Sequence, residues 1–172
     1  MHTTIRNLFV AALASGLIPH EAALAQSAGC AISRDAGARQ VLSCPGGVKV
    51  MAEAGASFRL SDRNHDGSPD SASLRRKAIL VDVDSSQHTG GFQVVTPQAI
   101  AAVRGTQWAV DVAGDKTSVL VVRGSVAVRR SAGEPVVLSP GEGVDVSSSN
   151  EPLVVRRWPA PRVAALLARL GQ

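Results

Sequence analysis

Between Gly91 and Ser147 the chain repeats one pattern that decides most of what it can fold into. The stretch reads GFQVVTPQAIAAVRGTQWAVDVAGDKTSVLVVRGSVAVRRSAGEPVVLSPGEGVDVS, with β-branched residues recurring at every second position between Gly, Pro, Asp and Ser breaks. A period of two sends alternate side chains to opposite faces of a strand, and the breaks supply the turns. The pattern predicts strands over 92–96, 99–103, 107–112, 117–123, 125–130, 136–138 and 144–147. In the third of these, Trp108, Val110 and Val112 make an inward row, while Gln107, Ala109 and Asp111 face out. Strands at intervals of about eight to twelve residues argue for an all-β fold, an antiparallel sandwich or a β-roll or solenoid-like module, and against βαβ units.

Upstream the strand signal is weaker. It covers 40–42, 47–53 and 57–60, punctuated by Gly46-Gly47 and Ala54-Gly55. Val48 and Val50 share one face, with Lys49 and Met51 on the other. The segment 78–84 reads AILVDVD, with Ile79, Val81 and Val83 opposite Leu80, Asp82 and Asp84, the pattern of a half-buried strand. Past a final strand over 153–158, Pro159 and Pro161 interrupt the pattern, and Val163, Leu166, Leu167 and Leu170 then fall at helical spacing. An amphipathic helix this short is marginal alone, so residues 159–172 either close the core of their own domain or dock on a partner.

The polar segment 61–77, SDRNHDGSPDSASLRRK, has the most specific local chemistry. Asp62, Asn64 and Asp66 alternate, Gly67 follows, and Asp70 lies four positions after Asp66. In a D-x-[DN]-x-[DN]-G loop such oxygens converge on a hard cation and the glycine takes the sharp turn, so Ca²⁺ is the expected ligand. The twelfth position is Ser73 rather than the bidentate Glu of an EF-hand, and Pro69 disfavours the EF-hand path. A second reading stays open: an Asx-rich turn that holds itself without metal.

Residues 1–25 have the form of a cleaved secretory leader. Arg6 precedes an apolar run to Ile18, and Ala23-Leu24-Ala25 is an A-x-A cleavage signal that makes Gln26 the first mature residue. The rival is a lipoprotein signal ending at Cys30. Residues 26–39 are small and polar, a loose lead-in. An exported chain places Cys30 and Cys44 in an oxidising compartment, where pairing is the simplest account of an even count; two buried thiols are the alternative. A loop of about 15 residues closed this way stabilises by about 3 kcal/mol in the chain-entropy model. The expectation is a periplasmic or secreted protein with no transmembrane segment in its mature part.

Chemistry-bearing residues are sparse. His65 and His88 are the histidines of the mature part, neither lies in a nucleophile motif such as G-x-S-x-G, and neither is spaced with the cysteines as a zinc site. No enzyme is expected. A net charge of +4 with 3% aromatic residues and no Tyr gives no nucleic-acid signature. Arg75-Arg76-Lys77, Arg129-Arg130 and Arg156-Arg157 are the basic clusters. Each strand pair places only one Arg on a given surface, and the exposed members either align into a positive stripe for an acidic partner or simply solvate the strands. Arg104 either pairs with an acid such as Asp111 or faces a partner.

Three elements in order carry a family resemblance. Thr96-Pro97 followed by Val103-Arg104-Gly105-Thr106-x-Trp108-x-Val110 resembles the TP…VRGT-x-F-x-V core of FecR-like domains, the periplasmic sensor part of ferric-citrate regulators. Val119 to Val128, with Gly124 between its halves, is similar to the next family element, and Leu138-Ser139-Pro140-Gly141-Glu142 to its L-x-x-G-E turn. The match is specific over 78–147 within an all-β domain at 26–158, and Trp108 stands where Phe is commoner. The resemblance implies a periplasmic sensor module and supplies no catalytic residue. The sequence carries neither the family's cytoplasmic anti-sigma region nor a retained membrane helix, so the module carries over and the complete pathway does not. The expected role is contact with a protein or envelope polymer in envelope signalling; the alternative is a secreted structural or adhesive module stabilised by Ca²⁺.

Overall fold

The computed structural model describes residues 29–149 and 151–172, so the leader over 1–25 and the start of the lead-in lie outside the described residues. Thirteen strands and one helix follow in order. They are β1 (Ala31–Arg34), β2 (Gln40–Cys44), β3 (Val48–Ala52), β4 (Ser57–Ser61), β5 (Ser71–Val83), β6 (Phe92–Val95), β7 (Ile100–Val103), β8 (Gln107–Ala113), β9 (Lys116–Arg123), β10 (Val126–Arg129), β11 (Val136–Leu138), β12 (Glu142–Ser147), β13 (Arg156–Arg157) and α1 (Ala160–Arg169). The fold is all-β with one short C-terminal helix, and the strands form a curled mixed sheet.

The sheet curls because β5 belongs to two lobes at once. Its first half pairs with β4 and β6, and its second half with β3 and β8. Ala72 and Leu74 enter the core on even numbers, Ile79, Val81 and Val83 on odd ones, so the strand slips phase by one residue between them. Lys77 makes the slip with a left-handed backbone, φ 64°, and its Nζ donates to Ala54 O at 2.8 Å. A straight 13-residue strand would separate Ser71 from Val83 by about 40 Å. The chain from Val83 to Gln93, which pairs with Ser71, reaches at most about 35 Å. The bend is therefore required for closure, and it makes β5–β6 parallel where an antiparallel sheet was expected.

From β6 onward the chain fills the lobes alternately, in the manner of a roll. The pairs β6–β7 and β10–β11 extend the lobe holding the first half of β5, while β8–β9 and β12–β13 extend the lobe holding the second half. The inner faces enclose one core that includes Trp108, Val110, Phe92, Val94, Val126 and Leu138. Phe92 meets Trp108 edge to face, with centroids 6.0 Å apart.

Several expectations from the sequence need correction. Residues 31–34, read as part of a loose lead-in, form β1 and pair with β2 in a hairpin. Residues 71–77, read as polar loop, are the first half of β5; three consecutive cations there hide the alternation. Of the strand expected over 153–158 only Arg156–Arg157 pairs, while Leu153 and Val155 pack against the core edge. Leu80 and Ala109, read as outward, do lie on the outer face but are fully buried, because α1 covers it.

That cover is the second core. Leu166 of α1 and Leu170 just past its end, backed by Val163 and Leu167, lie on Met51, Ala78, Leu80, Ala109 and Leu120. The helix begins earlier than its apolar spacing suggests because Pro161 is tolerated in a first turn. Two arginines fasten it. Arg169 holds Asp111 through two bonds of 2.7 and 3.0 Å and reaches Glu53 at 2.6 Å. Arg162 donates to Asp145 at 2.6 Å and lies over the Trp158 ring, 3.4 Å from its centroid.

Both clamps respond to acid. Burial pushes the Glu53 carboxyl up, but the Arg169 hydrogen bond and charge outweigh it and hold the group below its ordinary 4.5. Asp145 is likewise raised by burial and lowered further by Arg162 and Ser118. A depressed folded value stabilises the native state above the unfolded value and the contribution disappears as pH falls through the folded one. Stability should be level above about pH 5 and decline below about pH 4. Arg169→Ala should cost about 1–2 kcal/mol in urea unfolding at pH 7, with Arg169 being 40% exposed, and should flatten the acid decline. An unchanged acid limb in the variant would show that the clamp is not what acid releases.

Candidate functional site

Most of the resemblance residues sit at turns, several of them where the chain crosses between lobes. Thr96 caps the β6–β7 turn, accepting from Ala99 N at 2.9 Å. Pro97 occupies the same turn. Val103, Arg104, Gly105 and Thr106 make the β7–β8 crossing, and Gly124 the β9–β10 crossing beside it. Gly105 has φ 68°, and a Cβ there would stand 2.4 Å from Ser85 Cβ. Gly124 has φ 83°, and its Cβ would stand 2.8 Å from Thr106 Oγ1. Thr106, fully buried, ties the corners by donating to Ser125 O at 3.1 Å. Gly141, φ 79°, turns the β11–β12 crossing, where Glu142 accepts from Ser139 N at 2.8 Å. These residue types are dictated by backbone geometry and close approach.

Beside the first corner lies an open polar cleft of about 590 Å³. Lys49, Asp82, Asp84, Gln87, Gly105 and Arg123 line it. Arg123 donates to Asp82 at 2.8 Å and Gln107 does so at 3.0 Å. Asp84 accepts from the Ser86 hydroxyl and amide and from Gln87, and these bonds hold its carboxyl below the usual range. Lys49 has no ion pair or hydrogen bond from its side chain among the described residues. The cleft therefore offers one unengaged cation beside two carboxylates that already have donors, a surface for polar recognition. His88, near Gly46 at the same end of the molecule, is buried with Nε2 unpaired among the described residues. His65 is exposed in its loop at φ 58°.

The cysteines sit at the cleft's rim. Cys30 and Cys44 are joined by a disulfide, so the Cys30 sulfur is not free to carry a lipid. It pins the start of β1 to the Pro45–Gly47 turn. The Asp-rich loop docks on that turn, with Ser68 Oγ donating to Pro45 O at 2.8 Å.

Within the loop, the oxygens expected to meet a cation are engaged by the loop itself. Asp62 accepts from Gly67 N at 2.8 Å and Asp66 N at 3.2 Å. Asp66 accepts from Ser68 N at 2.8 Å and from the Asn64 amide at 2.9 Å. Asp70 is not brought to this group. Burial raises its carboxyl, but bonds from Ser71 and Arg63 outweigh burial and hold it below the ordinary value. Among the described residues no group of three or more His, Cys, Asp or Glu is arranged to hold a metal ion. Arg104 is exposed and does not pair with Asp111, which Arg169 occupies.

Sequence reasoning missed the cleft, because Lys49, Asp84 and Gly105 come from three stretches of chain far apart in sequence. It also missed that Arg130, Arg156, Arg157 and Arg162 line one groove. The alternation rule had each Arg pair facing two ways. β13 is the terminal strand of its lobe, and both of its arginines line the groove.

The family model described as FecR protein matches residues 31–127. This reaches further upstream than the 78–147 expected from motifs and ends before the Leu138–Glu142 turn. Two crystal structures of a candidate anti-sigma factor from Parabacteroides distasonis ATCC 8503, at 1.65 and 2.50 Å, each align with a TM-score of 0.61 and 24% identity. The alignment covers 79% of this chain and 63% of that one, and at this identity the likeness is one of fold. No curated protein matches the chain. Among the described residues no helix is long and apolar enough to cross a membrane.

Because the Asp-rich loop satisfies its own oxygens, its thermal unfolding midpoint should be the same in millimolar CaCl₂ and in EDTA. A rise with calcium would mean that the loop rebuilds around the ion, since a ligand of the native state must stabilise it.

Proposed function

The chain belongs to the FecR family, and from that premise we propose that it is a non-enzymatic sensing module of the cell envelope, working by contact with another protein. The observation that carries the reading is the family match over 31–127, laid on a scaffold whose corner turns open onto a polar cleft. The family's regulators act as signalling proteins, and the structural neighbour described as an anti-sigma factor supports the same direction. The disulfide supports an oxidising compartment, periplasmic or extracellular. In this reading the corner residues hold the shape and the side chains beside them, Lys49 first, touch the partner.

The cleft's chemistry suits a protein surface. It is broad and open, and its acids already have donors, so the unengaged Lys49 sets its specificity. Such polar, partly solvated contacts govern association and partner choice more than raw affinity.

A photo-crosslinking residue at position 49, set against one at exposed Val137 in the other lobe, tests this in envelope extracts. A discrete protein adduct from position 49 and none from position 137 is the expected result. Adducts from neither position, with the protein folded, would contradict a role through protein contact at this cleft.

A further inference from the structure

We propose that the groove between β12–β13 and the start of α1 binds an extended, carboxylate-rich peptide segment of a partner protein. The groove holds about 390 Å³ and is lined by Arg130, Arg156, Arg157 and Arg162. Asp145 and Glu151 are the acids in its wall, so four cations face two anions. Asp145 is already engaged, by Arg162 and by Ser118 Oγ at 2.6 Å each. Arg156 and Arg157 make no ion pair or side-chain hydrogen bond among the described residues. The Nε of Arg130 is buried and has no hydrogen-bond partner among them.

Arg130, Arg156 and Arg157 thus line the groove with no carboxylate engaging them among the described residues, which separates it from a surface of ion-paired arginines. Three guanidinium groups around one opening match carboxylates, which they meet through two parallel bonds. Charge complementarity thus specifies an acidic occupant.

Its extended form follows from the sheet. β13 pairs with β12 and ends the lobe, so its other side is a free edge that can take a further strand. Exposed Val154, 53% accessible, and Pro152 supply apolar wall next to the arginines, suited to the stem of an acidic side chain. Arg162 covers the Trp158 ring that a sugar would otherwise stack on.

The groove deepens the proposed role by naming the chemistry of a partner segment, yet its test is independent of the cleft at Lys49. Labelled hexaglutamate, titrated with the intact disulfide-bonded protein in about 50 mM salt, should bind saturably and weaken steeply as salt rises. Arg156→Ala and Arg130→Ala should each lower affinity by about tenfold. Arg156→Lys should lose less, and Arg34→Ala, at an exposed position of β1 outside the groove, should lose far less than Arg156→Ala, while circular dichroism confirms that each variant is folded. If Arg130→Ala and Arg156→Ala bind as the unaltered protein does, the groove is not the site. Equal or tighter binding of oligogalacturonate at the same arginines would assign the groove to anionic polysaccharide and overturn the peptide proposal. Loss of the position 49 adduct with hexaglutamate binding intact would remove the cleft reading and leave the groove.

Discussion

The left-handed backbone at Lys77 is the constraint on which the rest of the molecule depends. It turns β5 from one lobe into the other and exchanges the parity of the residues that face the core. Without it, segment 84–91 could not bring β6 back beside Ser71, and the pairing that starts the second lobe would be out of reach. A non-glycine residue in this conformation stores about 1–3 kcal/mol of strain. The lysine offsets part of that by reaching Ala54 O and lying near Glu53. The same Glu53 receives Arg169, so the bend and the helix clamp meet at one carboxylate.

Two cores follow from that bend. The inner one is enclosed by both lobes; the outer one exists because α1 covers a face that would otherwise expose Leu80 and Leu120. With both faces covered, recognition is confined to the rims. The polar cleft lies at the crossing corners, and the arginine groove draws Arg130 from one lobe and Arg156 and Arg157 from the other. A groove assembled across lobes keeps its spacing only while the lobes stay closed on each other.

Much of this was legible in the residues. Period-two patterning located most strands, including Val136–Leu138 to the residue, and helical spacing named the four side chains with which α1 packs. The corner glycines stood out because close approach and positive φ leave a local mark. What escaped depends on partners distant in sequence. Asp111 is held by Arg169, 58 positions away, where a nearby Arg104 was the available guess. The first half of β5 escaped because Arg75, Arg76 and Lys77 straddle the parity slip and break the alternation. The burial of Ala109 escaped because alternation tells which face a residue is on and says nothing of what covers it. The alignment of Arg130 with Arg156 is likewise a product of the closed roll.

Native-state amide hydrogen exchange tests the central claim, that the bend in β5 makes the two lobes one cooperative body. Amides of Leu74, Val94 and Val128 lie in the lobe built on the first half of β5, and those of Val81, Val110 and Val119 in the lobe built on its second half. Both sets should open only with global unfolding, at one shared free energy and with the same denaturant dependence. If Leu74, Val94 and Val128 opened together at a free energy lower by more than about 2 kcal/mol, the lobes would be separate units and the account would be contradicted.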